Sequence, residues 1–94
     1  MVARNVRCRA GELDLVCLDG NILVVVEVRL RVRLDFGGAL GSVTWRKQQK
    51  IIRATRFLMQ REPWRTYVVR FDVLALQGLP GAQEVVWIKD AFRT

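Results

Sequence analysis

Asp19-Gly20 separates two runs that each favour a strand, and no other pair of residues limits the fold as much. Before it, Glu12 to Leu18 carries apolar side chains at 13, 15 and 17, the period of a strand. After it, Asn21 to Arg31 is rich in β-branched residues. Glycine accepts the positive φ of a tight turn, so the two runs should close as an antiparallel hairpin. A two-residue loop at Asp19-Gly20 pairs Leu18 with Asn21, Val16 with Leu23, Asp14 with Val25, and Glu12 with Glu27. Asp14 and Glu27 then lie diagonally on one face, roughly 7–8 Å apart at the backbone. Both carboxylates can reach one hard cation, whose oxygen ligands sit at roughly 2.0–2.6 Å. A three-residue loop would turn one of them to the other face.

The other elements follow from the same reading. Arg4 to Arg9 is expected as a strand, and Val32 to Ser42, with three glycines and no period, as a loop. Thr44 is a good N-cap for a helix from Trp45 to Gln60, whose stripe at Ile51, Ala54 and Leu58 is widened by Ile52 and Met59. Glu62-Pro63 stops it, because the residue before proline is pushed out of the α region. Tyr67 to Leu76 is a third long strand, Gln77 to Gln83 a turn, and Val85 to Lys89 a last short strand. The expected architecture is α/β: an antiparallel three-strand meander, one basic helix and two further strands, with residues 1–94 as a single domain. One helix leaves a sheet face bare. A contiguous apolar patch is uncommon on a soluble monomer, so self-association as a homodimer is expected.

Composition narrows the function. The 94 residues are 51% hydrophobic, which suits one small globular domain. Ile22 to Val26 is far too short to cross a bilayer and no basic-then-apolar leader is seen, so a cytoplasmic protein without a membrane partner is expected. Cys8 and Cys17 lack metal-ligand spacing, and the chain has no histidine. Serine–histidine and cysteine–histidine catalysis are thereby excluded, as is any zinc site that needs imidazole. Net charge is +7, and from Thr44 to Arg70 eight basic residues stand against one acid, Glu62. Such a block is either a solvated helix face or the electrostatic footprint of a polyanion, and nucleic acid is the favoured reading. Arg46, Lys50 and Arg53 share a ridge by i, i+4, i+7 spacing, with Lys47 beside them.

For Asp14 and Glu27, spacing alone favours ordinary cross-strand ion pairs with Arg29 and Arg31 over a metal site. Asp72 alternates with Phe71 and Val73 and so points from the opposite face, where a pair with Arg70 or a helix cation is the simplest role. Trp45, Trp64 and Trp87 read as core or rim packing rather than as base-stacking platforms.

A family resemblance changes this weighting. Ala3-Arg4-Asn5-Val6-Arg7-Cys8-Arg9-Ala10-Gly11-Glu12-Leu13-Asp14-Leu15 resembles the opening of the YraN family. So do Val24-Val25-Val26-Glu27-Val28-Arg29-Leu30-Arg31, the helix from Arg46-Lys47-Gln48, and Arg70-Phe71-Asp72-Val73. The resemblance covers nearly the whole chain in the right order. It implies a restriction-endonuclease-like fold distantly related to archaeal Holliday-junction resolvases, and a Mg²⁺- or Mn²⁺-dependent endonuclease acting on DNA, branched DNA included. It further implies Asp14, Glu27 and the backbone carbonyl of Val28 as metal ligands. Glu12, Arg31 and Asp72 are candidate supporting side chains around them, and Gln48 reads as solvated, though in related nucleases a helix glutamine can face the site. Where the wider signature has a lysine, this sequence has Arg29. Arginine cannot lose a proton at useful pH, so Arg29 is left with a phosphate-orienting role, and Lys47 is a substitute if its end of the helix points at the carboxylates. The family also opens with a helix that covers the sheet, and its absence here reads as truncation. The competing class is a DNA-binding module of the same fold without catalysis; a partner-binding domain using the bare sheet face is the third.

Overall fold

The structure, a computed structural model, describes residues 2–32, 38–61 and 63–94, with the side chains of Arg31, Val32 and Leu40 outside the described set. Strands β1 (Ala3–Cys8), β2 (Gly11–Asp19) and β3 (Ile22–Val32) come first, then a short helix α1 (Gly38–Gly41) and the main helix α2 (Trp45–Met59). A 3-10 turn (Trp64–Thr66) leads into β4 (Val68–Gln77) and β5 (Glu84–Phe92). The five strands form one sheet in the order β1-β2-β3-β4-β5. Only β3 and β4 run parallel; the other three neighbouring pairs are antiparallel. Parallel neighbours need a crossover, and α2 lies within it. This mixed sheet with one packed helix is the α/β architecture expected and is compatible with a restriction-endonuclease-like fold.

The hairpin closes one residue later than expected. Asp19 pairs with Ile22, so Gly20 and Asn21 form the two-residue loop. Gly20 takes φ +62, and a two-residue loop of the II′ kind places glycine in its first position. Asp19 therefore stays in the strand, and the register moves by two: Leu18 faces Leu23, Val16 faces Val25 and Leu15 faces Val26.

Helix α2 begins as its cap predicts. Thr44 Oγ1 accepts the Lys47 N–H at 3.2 Å. Ile51, Ile52, Ala54 and Thr55 are buried, with Leu58 and Met59 packed against the same core. The buried Thr55 hydroxyl donates to the Ile51 carbonyl at 2.8 Å, which satisfies it within its own helix. The helix meets one core cluster containing Leu13, Val16, Leu23, Val25, Phe71, Val73 and Ala75.

Elsewhere the chain departs from expectation in detail. Gly38–Gly41 is helical where a loop was expected, and Ala39 and Val43 bring that segment into the core. Strand β5 runs to Phe92 rather than Lys89, with a register shift opposite Phe71/Val73 where Asp90 takes φ +53. Trp45 does not pack: it is 73% exposed. Glu62 lies outside the described residues, while α2 already ends at Met59. Among the described residues no helix is long and apolar enough to cross a membrane.

Candidate metal and nucleic-acid site

Two strands separate where the candidate carboxylates stand. The β2–β3 ladder ends at Leu15 and Val26, and one further step of that register sets Asp14 directly opposite Glu27 rather than diagonally from it. The same register removes Glu12 from Glu27. Glu12 instead faces Arg7 on β1, in an exposed 3.7 Å ion pair of the kind that contributes little to stability. Beyond the last ladder pair, the Val28 N–H donates to Asp14 Oδ2 at 2.9 Å. The Asp14 carboxylate thus takes the place of the missing β2 carbonyl and ties the separating strands together.

Glu27 is 4% exposed, on the helix side of the sheet with Leu23 and Val25. Lys47, in the first turn of α2, places its Nζ 3.2 Å from Glu27 Oε1. The helix does point this end at the carboxylates. Burial pushes the Glu27 carboxyl above its ordinary value, and the adjacent Asp14 pushes it further; Lys47 opposes both without cancelling them. Among the described residues, the result is a desolvated acid beside a second carboxylate, with the Lys47 ammonium on Glu27. Charge is crowded here, and a cation would relieve it.

The donor set suits a hard cation. Asp14, Glu27 and a backbone carbonyl such as that of Val28 offer oxygen alone, and Mg²⁺ is commonly held by one or two carboxylates with water and substrate phosphate completing its shell. Among the described residues no three His, Cys, Asp or Glu side chains cluster as a metal site. The carboxylate pair therefore matches a cation that keeps part of its shell for water and phosphate better than one fully caged by side chains.

The remaining sequence candidates are sorted by the sheet. Arg29 follows Glu27 by two on β3, pairs with Ala75 of β4, and is partly exposed. The Arg31 side chain lies outside the described residues. Gln48 is neither free in solvent nor turned to the carboxylates: its Nε2 donates to the Val43 carbonyl at 3.1 Å, fastening the turn before α2. Arg46, Lys50 and Arg53 are exposed along α2, while half-buried Lys47 turns inward, so the structure separates it from that ridge.

Asp72 lies across the sheet from the carboxylates, with 0% exposure. It accepts from Arg70 Nε at 2.9 Å and Nη2 at 3.1 Å, from Trp87 Nε1 at 2.9 Å and from the Asp90 N–H at 2.9 Å. Burial alone would push its carboxyl up, but Arg70 and the two N–H donors together hold it below the ordinary aspartate value. Its work is to bind β4 to β5. The Arg70 pairing was legible in the sequence; the Trp87 and Asp90 donors were not, because they depend on the irregularity in β5.

Several proteins of Pseudomonas are similar to this chain. A UPF0102 protein of Pseudomonas entomophila strain L48 is 51% identical over 94 residues, covering 98% of this chain and 76% of that protein. A UPF0102 protein of Pseudomonas putida strain GB-1 is 49% identical over the same coverage, and one of Pseudomonas fluorescens strain Pf-5 is 47% identical. Residues 1–76 match the group described as uncharacterised protein family UPF0102. The chain belongs to UPF0102, the YraN family.

Proposed function

We propose that this chain is a divalent-metal-dependent endonuclease that hydrolyses DNA phosphodiester bonds. The observation that carries the reading is the placement of Lys47 Nζ at 3.2 Å from the buried Glu27, beside Asp14, at one end of a basic helix. A buried carboxylate beside a second, half-buried one is costly to keep for stability alone, and acids perturbed by burial and a like charge cluster at functional sites. Asp14, Glu27 and the Val28 carbonyl hold Mg²⁺ or Mn²⁺ in this reading. Such a cation lowers the pKa of bound water and polarises a phosphate oxygen.

The chain's own groups do the rest. Lys47 exchanges its contact with Glu27 for the phosphate under attack, supplying the positive charge that the wider signature draws from a lysine on the strand. Arg29 orients the same phosphate and takes no proton. Arg46, Lys50 and Arg53 track the DNA backbone from the outer face of α2. The presence of Arg29 at the signature's lysine position supports a second reading, a DNA-binding module without catalysis.

A Mn²⁺-dependent cleavage assay on duplex, single-stranded and branched DNA tests the proposal. Cleavage by the wild type is expected, with Glu27→Gln and Lys47→Met each slower by about a hundredfold or more. DNA retention without Mn²⁺ uptake or cleavage would establish the binding module instead.

A further inference from the structure

The pleat of the first two strands changes phase at one residue pair. On β1, Ala3 packs against the core, and so do Val6 and Cys8. On β2, Val16 and Leu13 are both buried in the same core cluster. Residues three apart cannot share a face of a regular strand, whose side chains alternate with period two. The pairing itself does not slip: Arg4 faces Leu15 and Val6 faces Leu13, which leaves Asn5 facing Asp14. Asn5 takes φ +50, a left-handed conformation inside a strand. Only glycine enters that region freely, and asparagine is among the few other residues that tolerate it.

This turn explains how Asp14 is aimed. In an unbroken pleat Asp14 would share the face of Val16 and point into the core cluster, or Leu13 would be turned out of it. With the phase change both Leu13 and Val16 are buried, and the carboxylate between them swings sideways to the Val28 N–H at 2.9 Å. The same swing keeps it beside Glu27, whose carboxyl it pushes up. Asn5 is itself exposed.

We infer that Asn5 is the positioning residue for Asp14, acting through its left-handed backbone rather than through its amide. The consequence for a metal rests on the nuclease reading above; the aiming of the carboxylate does not. Hydrogen exchange at the Val28 amide, read by NMR against the core amides of Val24 and Val73, measures the aim directly, and calorimetric titration with Mn²⁺ measures its use. Asp14→Ala serves as the control that unprotects Val28. In Asn5→Ala the left-handed turn is disfavoured, and Val28 exchange should rise, and Mn²⁺ affinity fall, by about tenfold while the core amides hold. Asn5→Gly, which keeps the turn, should restore both to within about twofold. Unchanged Val28 exchange in Asn5→Ala overturns the inference. So does an Asn5→Gly protein that loses as much as Asn5→Ala, since the amide would then be the active part. Wild type that takes up no Mn²⁺ but shows the expected exchange pattern would retire the metal reading and support the assignment of Asn5.

Discussion

Lys47 Nζ and Glu27 Oε1 stand 3.2 Å apart, joining the first turn of the helix to the middle strand of the sheet. Lysine reaches this point because Thr44 sets where the helix starts, and glutamate because the hairpin turn sets which face it takes. A shift of one residue in either would break the pair.

The ionisation of Glu27 should therefore act on stability. Its folded pKa is raised above the ordinary glutamate value of 4.5, so between those two values the folded chain binds more protons than the unfolded one. Stability should fall as pH rises from 4.5 through the folded pKa. Glu27→Gln should remove this contribution, making the variant more stable than wild type at pH 8 and closer to it at pH 4.5. Urea unfolding at the two pH values reads it; a variant equally destabilised at both would show that the carboxylate is held for stability.

The Thr44 cap carries Lys47 with it. Thr44→Ala removes the acceptor of the Lys47 N–H and should cost about 1 kcal/mol. Because fraying would begin at the turn that holds Lys47, Mn²⁺-dependent cleavage should drop more than chemical denaturation predicts. Thr44→Asp, which keeps a cap, should recover both.

Asp72 should behave in the opposite way from the carboxylates across the sheet. Asp72→Ala leaves two N–H donors without their acceptor and Arg70 with its 3.3 Å contact to Asp19, and should destabilise by about 2–3 kcal/mol. Its folded pKa lies below 3.8, so the stability it contributes is present above that value and is lost as pH falls through the folded pKa. At low temperature, where the variant remains folded, Mn²⁺ affinity should match wild type. Reduced affinity in folded protein would connect Asp72 to the metal site after all.

The ridge of α2 is tested by salt. If Arg46, Lys50 and Arg53 contact phosphates, replacing all three with glutamine should flatten the dependence of log K on log salt by roughly 2–3 units on duplex DNA. Stability should hardly change, since all three are exposed. Equal slopes would place the DNA elsewhere.

The strands, the helix and its cap were legible because each rests on local periodicity or on one residue's chemistry. The hairpin loop lies one residue beyond Asp19-Gly20 because glycine occupies its first position and Asn21 its second, a choice of turn type that the Asp-Gly pair does not itself fix. The later loop sets Asp14 directly opposite Glu27 in register instead of diagonally from it. Lys47 was legible only conditionally: its position in the first turn is a local property, but its direction depends on how the helix packs. Asn5 and Asp90 escaped because positive φ inside a strand has no periodic signal. Gln48 escaped because its partner, the Val43 carbonyl, is backbone.

The single parallel pairing has a kinetic consequence. Asp19 and Ile22 are three residues apart, and the β2–β3 hairpin zips locally, on the order of microseconds. Ile22 and Val68 are neighbours in β3 and β4 although 46 positions separate them (68 − 22), so this pairing must wait for a long loop to close around α2. Asp14 and Glu27 therefore come together early, and Lys47 joins them only when the crossover docks. Until then the two carboxylates meet without the Lys47 ammonium, and their repulsion opposes the hairpin that brings them together.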